Sequence, residues 1–283
     1  MKTLFFISIA FAIMTSCSKP DVHDNGLSET SLNAEFTVTP VAGSDHRFIV
    51  TANDSSYILS KWDFDNGAGP VIGRHSQPLF LPDAGTYNIT HYAVGRGGMS
   101  FSATKTVTIA TSDPAAGNLV QGGKFETAED EAKWTKFNIS GSSVTWNRSG
   151  GKMTVSGGGN NGHAGIYQAI EVEANKDYRF GMIVSGSGAT DTWFEVYFGR
   201  VEPTEGADYT DGGIQIALNT WEGCGNKEFS GNIAEIGCAG DLKGKEGKVR
   251  FAQGGTIYLV IKCGGANLGS TGISIDNVEL RGI

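Results

Sequence analysis

Apolar and polar residues alternate in short runs along almost the whole chain, and no stretch sustains a helical period. Residues 34–41, 47–52, 58–64, 87–94 and 101–109 each follow a period of two. Turn clusters such as Asp65-Asn66-Gly67 and Pro82-Asp83-Ala84-Gly85 separate them. This rhythm predicts half-buried strands joined by tight turns. A second, more aromatic series begins at Asn118, after the small-residue and proline stretch Thr111-Ser112-Asp113-Pro114-Ala115-Ala116-Gly117, which reads as a boundary. The expectation is an all-β protein: a small β-sandwich over residues 32–112, a linker at 113–117, and a larger all-β unit over 118–283. Two segments break the pattern. Residues 4–13 are almost wholly apolar, about half the ~20 residues a membrane-spanning helix needs. Residues 18–31 are polar and aperiodic, a flexible tether reaching roughly 20 Å as a random coil.

Side-chain alternation along the second series sorts candidate core from candidate site. In Thr192-Trp193-Phe194-Glu195-Val196-Tyr197-Phe198, the residues Phe194, Val196 and Phe198 make one apolar face. Trp193, Glu195 and Tyr197 share the other. Farther along, Ile214, Ile216 and Leu218 form an inward set, leaving Gln215, Ala217, Asn219 and Trp221 outward. Tyr178, Phe180, Met182 and Val184 point in, leaving Arg179 outward. If these strands are neighbours, one sheet face carries Trp193, Tyr197 and Trp221 among Glu195, Gln215, Asn219 and Arg179. Large aromatics on a face away from the core need a cover. Residues 199–248, which carry Tyr209, could be that cover or a lid beside a groove. Flat rings among amide, carboxylate and guanidinium groups suit a sugar, whose C–H faces stack and whose hydroxyls need donors and acceptors. Trp134 and Trp146 read as core or its rim.

The formal net charge is −8, which argues against a nucleic-acid surface. Cys224 and Cys238 would close a loop of about 15 residues, worth about 3 kcal/mol in the chain-entropy model. Cys263 is then left over, and the odd count leaves the pairing open. No C-x-x-C occurs, and His23, His46, His75, His91 and His163 lack ligand spacing. The chain also lacks G-x-S-x-G, H-E-x-x-H and a phosphate loop, so no catalytic residues and no required cofactor are expected.

Three resemblances refine the picture. Lys2, the apolar run and Met14-Thr15-Ser16-Cys17 resemble a bacterial lipoprotein signal over residues 1–17. That implies cleavage before a lipidated Cys17 and attachment to a membrane. Trp62-Asp63-Phe64-Asp65-Asn66-Gly67 and Ala84-Gly85-Thr86-Tyr87-Asn88-Ile89-Thr90 resemble the signatures of polycystic-kidney-disease (PKD) domains, which implies that residues 32–112 form an immunoglobulin-like β-sandwich spacer with Trp62 in its core. The chain departs from that signature at Asp65 and Asn66. Asn118-Leu119-Val120-Gln121-Gly122-Gly123-Lys124-Phe125-Glu126, Tyr167-Gln168-Ala169-Ile170-Glu171-Val172 and Ile275-Asp276-Asn277-Val278-Glu279-Leu280 resemble, in that order, the framing motifs of jelly-roll carbohydrate-binding modules of families 4, 9 and 22. Gly122 stands where that family usually has Asn. The whole is similar to accessory glycan-binding lipoproteins of Bacteroidota polysaccharide-uptake systems. The resemblance implies a non-catalytic surface protein on the outer membrane that captures a polysaccharide or oligosaccharide, first of all a β-glucan of the laminarin type, beside a glycan transporter. It further implies a structural calcium at Glu126 and Asp276. An adhesin for a protein partner and a cryptic glycoside hydrolase remain the alternatives.

Overall fold

In a computed structural model, which describes residues 31–66, 69–159 and 162–283, the alternating runs pair into four antiparallel sheets. The expected signal segment with Cys17, and the expected tether up to residue 30, lie outside the described residues. No helix among the described residues is long and apolar enough to cross a membrane. The chain divides into two compact units. One comprises the described residues up to Leu79 with Tyr87–Val107, and the other Phe80–Thr86 with Thr108–Ile283.

The N-terminal sandwich faces a three-stranded sheet of β1 (Phe36–Pro40), β2 (Arg47–Ala52) and β5 (Ser76–Phe80) with a four-stranded one. The latter runs in the order β4 (Val71–Gly73), β3 (Leu59–Asp63), β6 (Gly85–Val94), β7 (Ser100–Ile109). Trp62 is fully buried, with Phe36 edge-on at 5.2 Å and His91 at 4.3 Å between ring centroids. Its indole N–H donates to the Arg74 carbonyl, so the buried polar tip is satisfied. His91 is also buried: Nδ1 donates to the Ala34 carbonyl and Nε2 accepts from the Ser60 hydroxyl. Burial lowers its pKa and keeps it neutral. Asp65, a departure from the signature, takes the left-handed turn conformation at φ 58° and accepts from the Asn88 N–H.

The C-terminal unit is a second sandwich. Its five-stranded sheet runs β14 (Ile214–Asn219), β13 (Thr190–Gly199), β17 (Gly255–Asn267), β11 (His163–Val172), β8 (Thr135–Ser140). The opposing sheet runs β15 (Phe229–Asn232), β12 (Asp177–Gly186), β18 (Ile273–Gly282), β10 (Lys152–Gly157), β9 (Val144–Ser149), with β16 (Lys248–Arg250) also pairing β12. Between them lies one core, containing Phe194, Val196 and Phe198 from β13 and Tyr178, Phe180, Met182 and Val184 from β12. Trp134 and Trp146 join it, each indole N–H donating to a carbonyl.

The framing motifs hold this unit closed. The side chain of Asn118 donates to Val278 O and accepts from Leu280 N–H, while Gly123 O accepts from Val278 N–H. Gln168 on β11 bonds both N–H and C=O of Gln121 and the carbonyl of Lys133. Gly122 sits at φ 60°, where a Cβ would run into the Asp130 carbonyl. Glycine at this position therefore has a steric cause.

Candidate functional site

Strand register arranges the outer face of the five-stranded sheet in rows. The first runs Asn219, Trp193, Gly264, His163. The second runs Ala217, Glu195, Lys262, Gly165, Phe137, and the third Ile214, Tyr197, Val260, Tyr167. A β-bulge between Val196 and Tyr197 sets Ile214 opposite Tyr197. Ile214 thus packs against the outer cluster with Tyr197 and not in the main core, a correction to simple alternation along β14.

Residues 200–213 join β13 to β14 by crossing this face as a strap. Tyr209 packs edge-on against Tyr197 at 5.8 Å, Glu202 accepts from the Tyr167 hydroxyl, and Asp208 pairs with Lys262. At the far edge, Gly206 N–H donates to Asn138 O and Glu205 accepts from Asn138 N–H, which caps the open edge of β8. Beneath the strap a smaller core forms from Phe137, Ile139, Tyr197, Tyr209 and Val260.

The strap decides where the predicted site residues end up. Tyr197 and Tyr209 are buried, and burial raises both phenol pKa values, with Glu195 adding to Tyr197 and Asp211 to Tyr209. Tyr197 is therefore a core residue, contrary to its expected place on an open platform, and Tyr209, from the expected cover, is buried with it. Glu195 is 9% exposed; its carboxylate accepts from the Tyr197 hydroxyl and lies 3.4 Å from the Lys262 ammonium. Gln215 sits at the bulge, folded back onto the carbonyls of Gly212 and Gly213. Arg179 is on β12, in the other sheet, where it lines a cleft of about 800 Å³ with Asn232, Glu246 and Glu279. It belongs to a different surface, because β12 and β13 are not neighbours.

What remains accessible of this face is Trp193 and Asn219 of the first row and the turn beside it, while Gly264 and His163 are buried. Trp193 is half-buried, and Trp221 is 61% exposed. Their indoles are near-parallel, with centroids 6.2 Å apart and planes at 29°. Trp221 rides on a 3-10 turn, Thr220–Glu222, whose first free N–H donates to the Asn219 side-chain oxygen. The bond between Cys224 and Cys238 fixes the segment behind it, with Cys224 N–H on Asn219 O and Cys238 N–H on Ala217 O. Cys263 is free and buried.

Gly264 lets the Trp193 indole lie across β17, since a Cβ there would fall 2.7 Å from its Cζ2. The indole N–H reaches His163 Nε2 at 3.3 Å. Lys262 Nζ, 2% exposed, lies 2.6 Å from Asp208, 3.4 Å from Glu195 and 4.8 Å from the Tyr197 ring centroid. A buried ammonium with two carboxylates and an aromatic face is a compensated charge. His163, Lys262, Asp208 and Gly264 escaped the sequence reading, although Lys262 interrupts the otherwise apolar run Ile257-Tyr258-Leu259-Val260-Ile261-Lys262-Cys263.

Burial first and the Lys262 charge second hold His163 down to about 4, against the opposing pull of Asp208. In the unfolded chain the group titrates near the ordinary value of about 6.5. Its contribution to stability is therefore complete above that value and lost as pH falls through about 4. Urea unfolding should show a steeper loss of stability between pH 7 and 4.5 for the native chain than for His163→Gln. Equal losses would contradict this account of the imidazole.

The Glu126 charge also acts on Asp276. Burial raises the Asp276 carboxyl above its ordinary range and the nearby Glu126 charge adds to this, while the Asn277 N–H bond and the lysines 124 and 152 oppose it. Carboxylate oxygens suit a hard cation. No cluster of three or more His, Cys, Asp or Glu able to hold a metal occurs among the described residues.

No protein-family model matches the chain, and no curated protein matches it. Among solved structures, it is similar to a carbohydrate-binding module of the β-sandwich superfamily described as promiscuous in specificity, at 18% identity over 88% of this chain and 97% of that one, with a TM-score of 0.32. A family 4 carbohydrate-binding module is similar at 14% identity over 58% of this chain and 99% of that one, TM-score 0.36. A family 61 module solved with β-1,4-galactotriose is similar at 18% identity over 58% and 97%, TM-score 0.29.

Proposed function

We propose that this chain is a non-catalytic, lipid-anchored glycan-binding protein of the outer cell surface, and that Trp193 and Trp221 form its sugar platform. The observation that carries the reading is the accessible, near-parallel indole pair, rigidly seated by Gly264, the Asn219 cap and the disulfide. Preorganised rings lose little entropy on binding, and pyranose C–H faces pack on them. In this reading Cys17 carries the acyl chains, the tether and a PKD-like spacer project the binding unit, and a neighbouring transporter receives the captured chain. Many copies on one membrane raise avidity. A β-glucan of the laminarin type is the first ligand to try. Affinity electrophoresis over a polysaccharide panel tests the reading. Retardation by a glucan without release of reducing ends is expected; a folded protein that no polysaccharide retards would overturn it.

A structural calcium at Glu126 and Asp276 is a separable part of the proposal, supported by the influence of the Glu126 charge on the Asp276 carboxyl. Calcium would hold the opening and closing motifs together, away from the platform. Millimolar calcium should raise the melting temperature of the native chain by a few degrees and leave Asp276→Asn unmoved, because a ligand that binds only the folded state stabilises it. An identical shift in both would place the ion elsewhere.

A further inference from the structure

We propose that His163 and Asp208 form a donor–acceptor pair that grips the hydroxyls of an uncharged sugar ring seated on Trp193. The inference rests on the glycan-binding reading of this face and names the residues and ligand class that go with it.

Trp193 Nε1–H donates to His163 Nε2, so Nδ1 carries the imidazole proton. Nδ1 lies 3.9 Å from Asp208 Oδ1, too far for a hydrogen bond. That Oδ1 already accepts from Lys262 Nζ at 2.6 Å and from Tyr209 N–H at 2.9 Å. Among the described residues nothing donates to Asp208 Oδ2, and nothing accepts from His163 Nδ1–H. The imidazole is largely buried, yet Nδ1 is not among the buried polar atoms left without a partner, so its N–H meets solvent and is open to a ligand hydroxyl. A hydroxyl is both acceptor and donor. One hydroxyl, or two adjacent ones on a ring edge, would take the Nδ1–H and give its own proton to Oδ2.

Charge narrows the ligand class. Asp208, Asp191 (two residues before Trp193) and Glu222 (next to Trp221) are all exposed. Lys262, a cation on this face, is buried and engaged by Glu195 and Asp208. A carboxylated or sulfated sugar would meet the Asp208 carboxylate, whose partner cation Lys262 is already engaged by Glu195 and Asp208. A neutral ring meets neither cost.

The test is calorimetry of the full chain with neutral polysaccharides (laminarin, galactan, mannan) and acidic ones (alginate, polygalacturonate). On whichever neutral polysaccharide binds most tightly, His163→Gln and Asp208→Asn are each expected to weaken binding about five- to tenfold, the value of one lost hydrogen bond. Tighter binding of an acidic polysaccharide overturns the proposal. So does affinity within twofold of the native chain for both variants while Trp193→Ala loses binding, a result that spares the platform. If no polysaccharide binds, the parent reading fails as well. NMR of the native protein gives a readout that does not depend on a variant folding. The His163 Nδ1 proton should exchange with water more slowly when the glycan is added, and unchanged exchange at saturation counts against the pair.

Discussion

Trp193→Ala is expected to weaken polysaccharide binding at least about tenfold while leaving the protein folded, a loss of about 1.4 kcal/mol or more. The magnitude follows from what the ring does. It is half-buried, lies over Gly264 and keeps a stacked partner in Trp221, tilted by 29°. Truncation removes the flat surface and exposes His163, but leaves the main core, which is built from Phe194, Val196 and Phe198 on the opposite face of β13. Circular dichroism and a denaturation midpoint close to native should accompany the lost affinity. A folded variant that binds as well as the native chain would remove Trp193 from the site.

The second large effect is on stability. Lys262→Met is expected to destabilise the protein by about 4 kcal/mol, the usual cost of breaking a buried ion pair from one side. The Glu195 carboxylate, 9% exposed, would lose its counter-charge, and Asp208 would lose the bond that holds the strap to β17. Loosening of residues 200–213 would expose the cluster of Tyr197, Tyr209 and Val260. Urea denaturation measures the loss, and proteolysis should nick the strap first. Pairing Lys262→Met with Glu195→Gln should recover part of the stability, since no uncompensated charge then stays buried. No recovery would mean that the ammonium acts through packing and not through its charge.

Alternation alone was enough to read the two sandwiches and the inward sets of β12 and β13, because both sheets bury one face against a single core. It failed where sheet membership or an overlying loop matters. Arg179 points outward as its strand pattern requires, but on the other sheet, and no local pattern encodes which strands are neighbours. Tyr197 points away from the main core, again as the pattern requires, yet the strap seals it. One bulged residue moved Ile214 to the opposite face. Lys262 left a clue of a different kind: a charge in an apolar strand has to be paired, and its partners Glu195 and Asp208 mark the floor of the site. His163 and Gly264 left none, since a lone histidine and a glycine in a strand acquire meaning only once register places them in one row with Trp193.

The most direct measurement is an NMR titration of the tryptophan indole N–H signals with an oligosaccharide cut from the polysaccharide that binds best. The chain has five tryptophans, and the account divides them cleanly. Trp193 and Trp221 should shift on saturation, whereas Trp62, Trp134 and Trp146, sealed in the two cores, should stay in place. Saturable binding that leaves Trp193 and Trp221 unmoved, with shifts instead around Arg179 on β12, would show that the sugar sits on the opposite sheet.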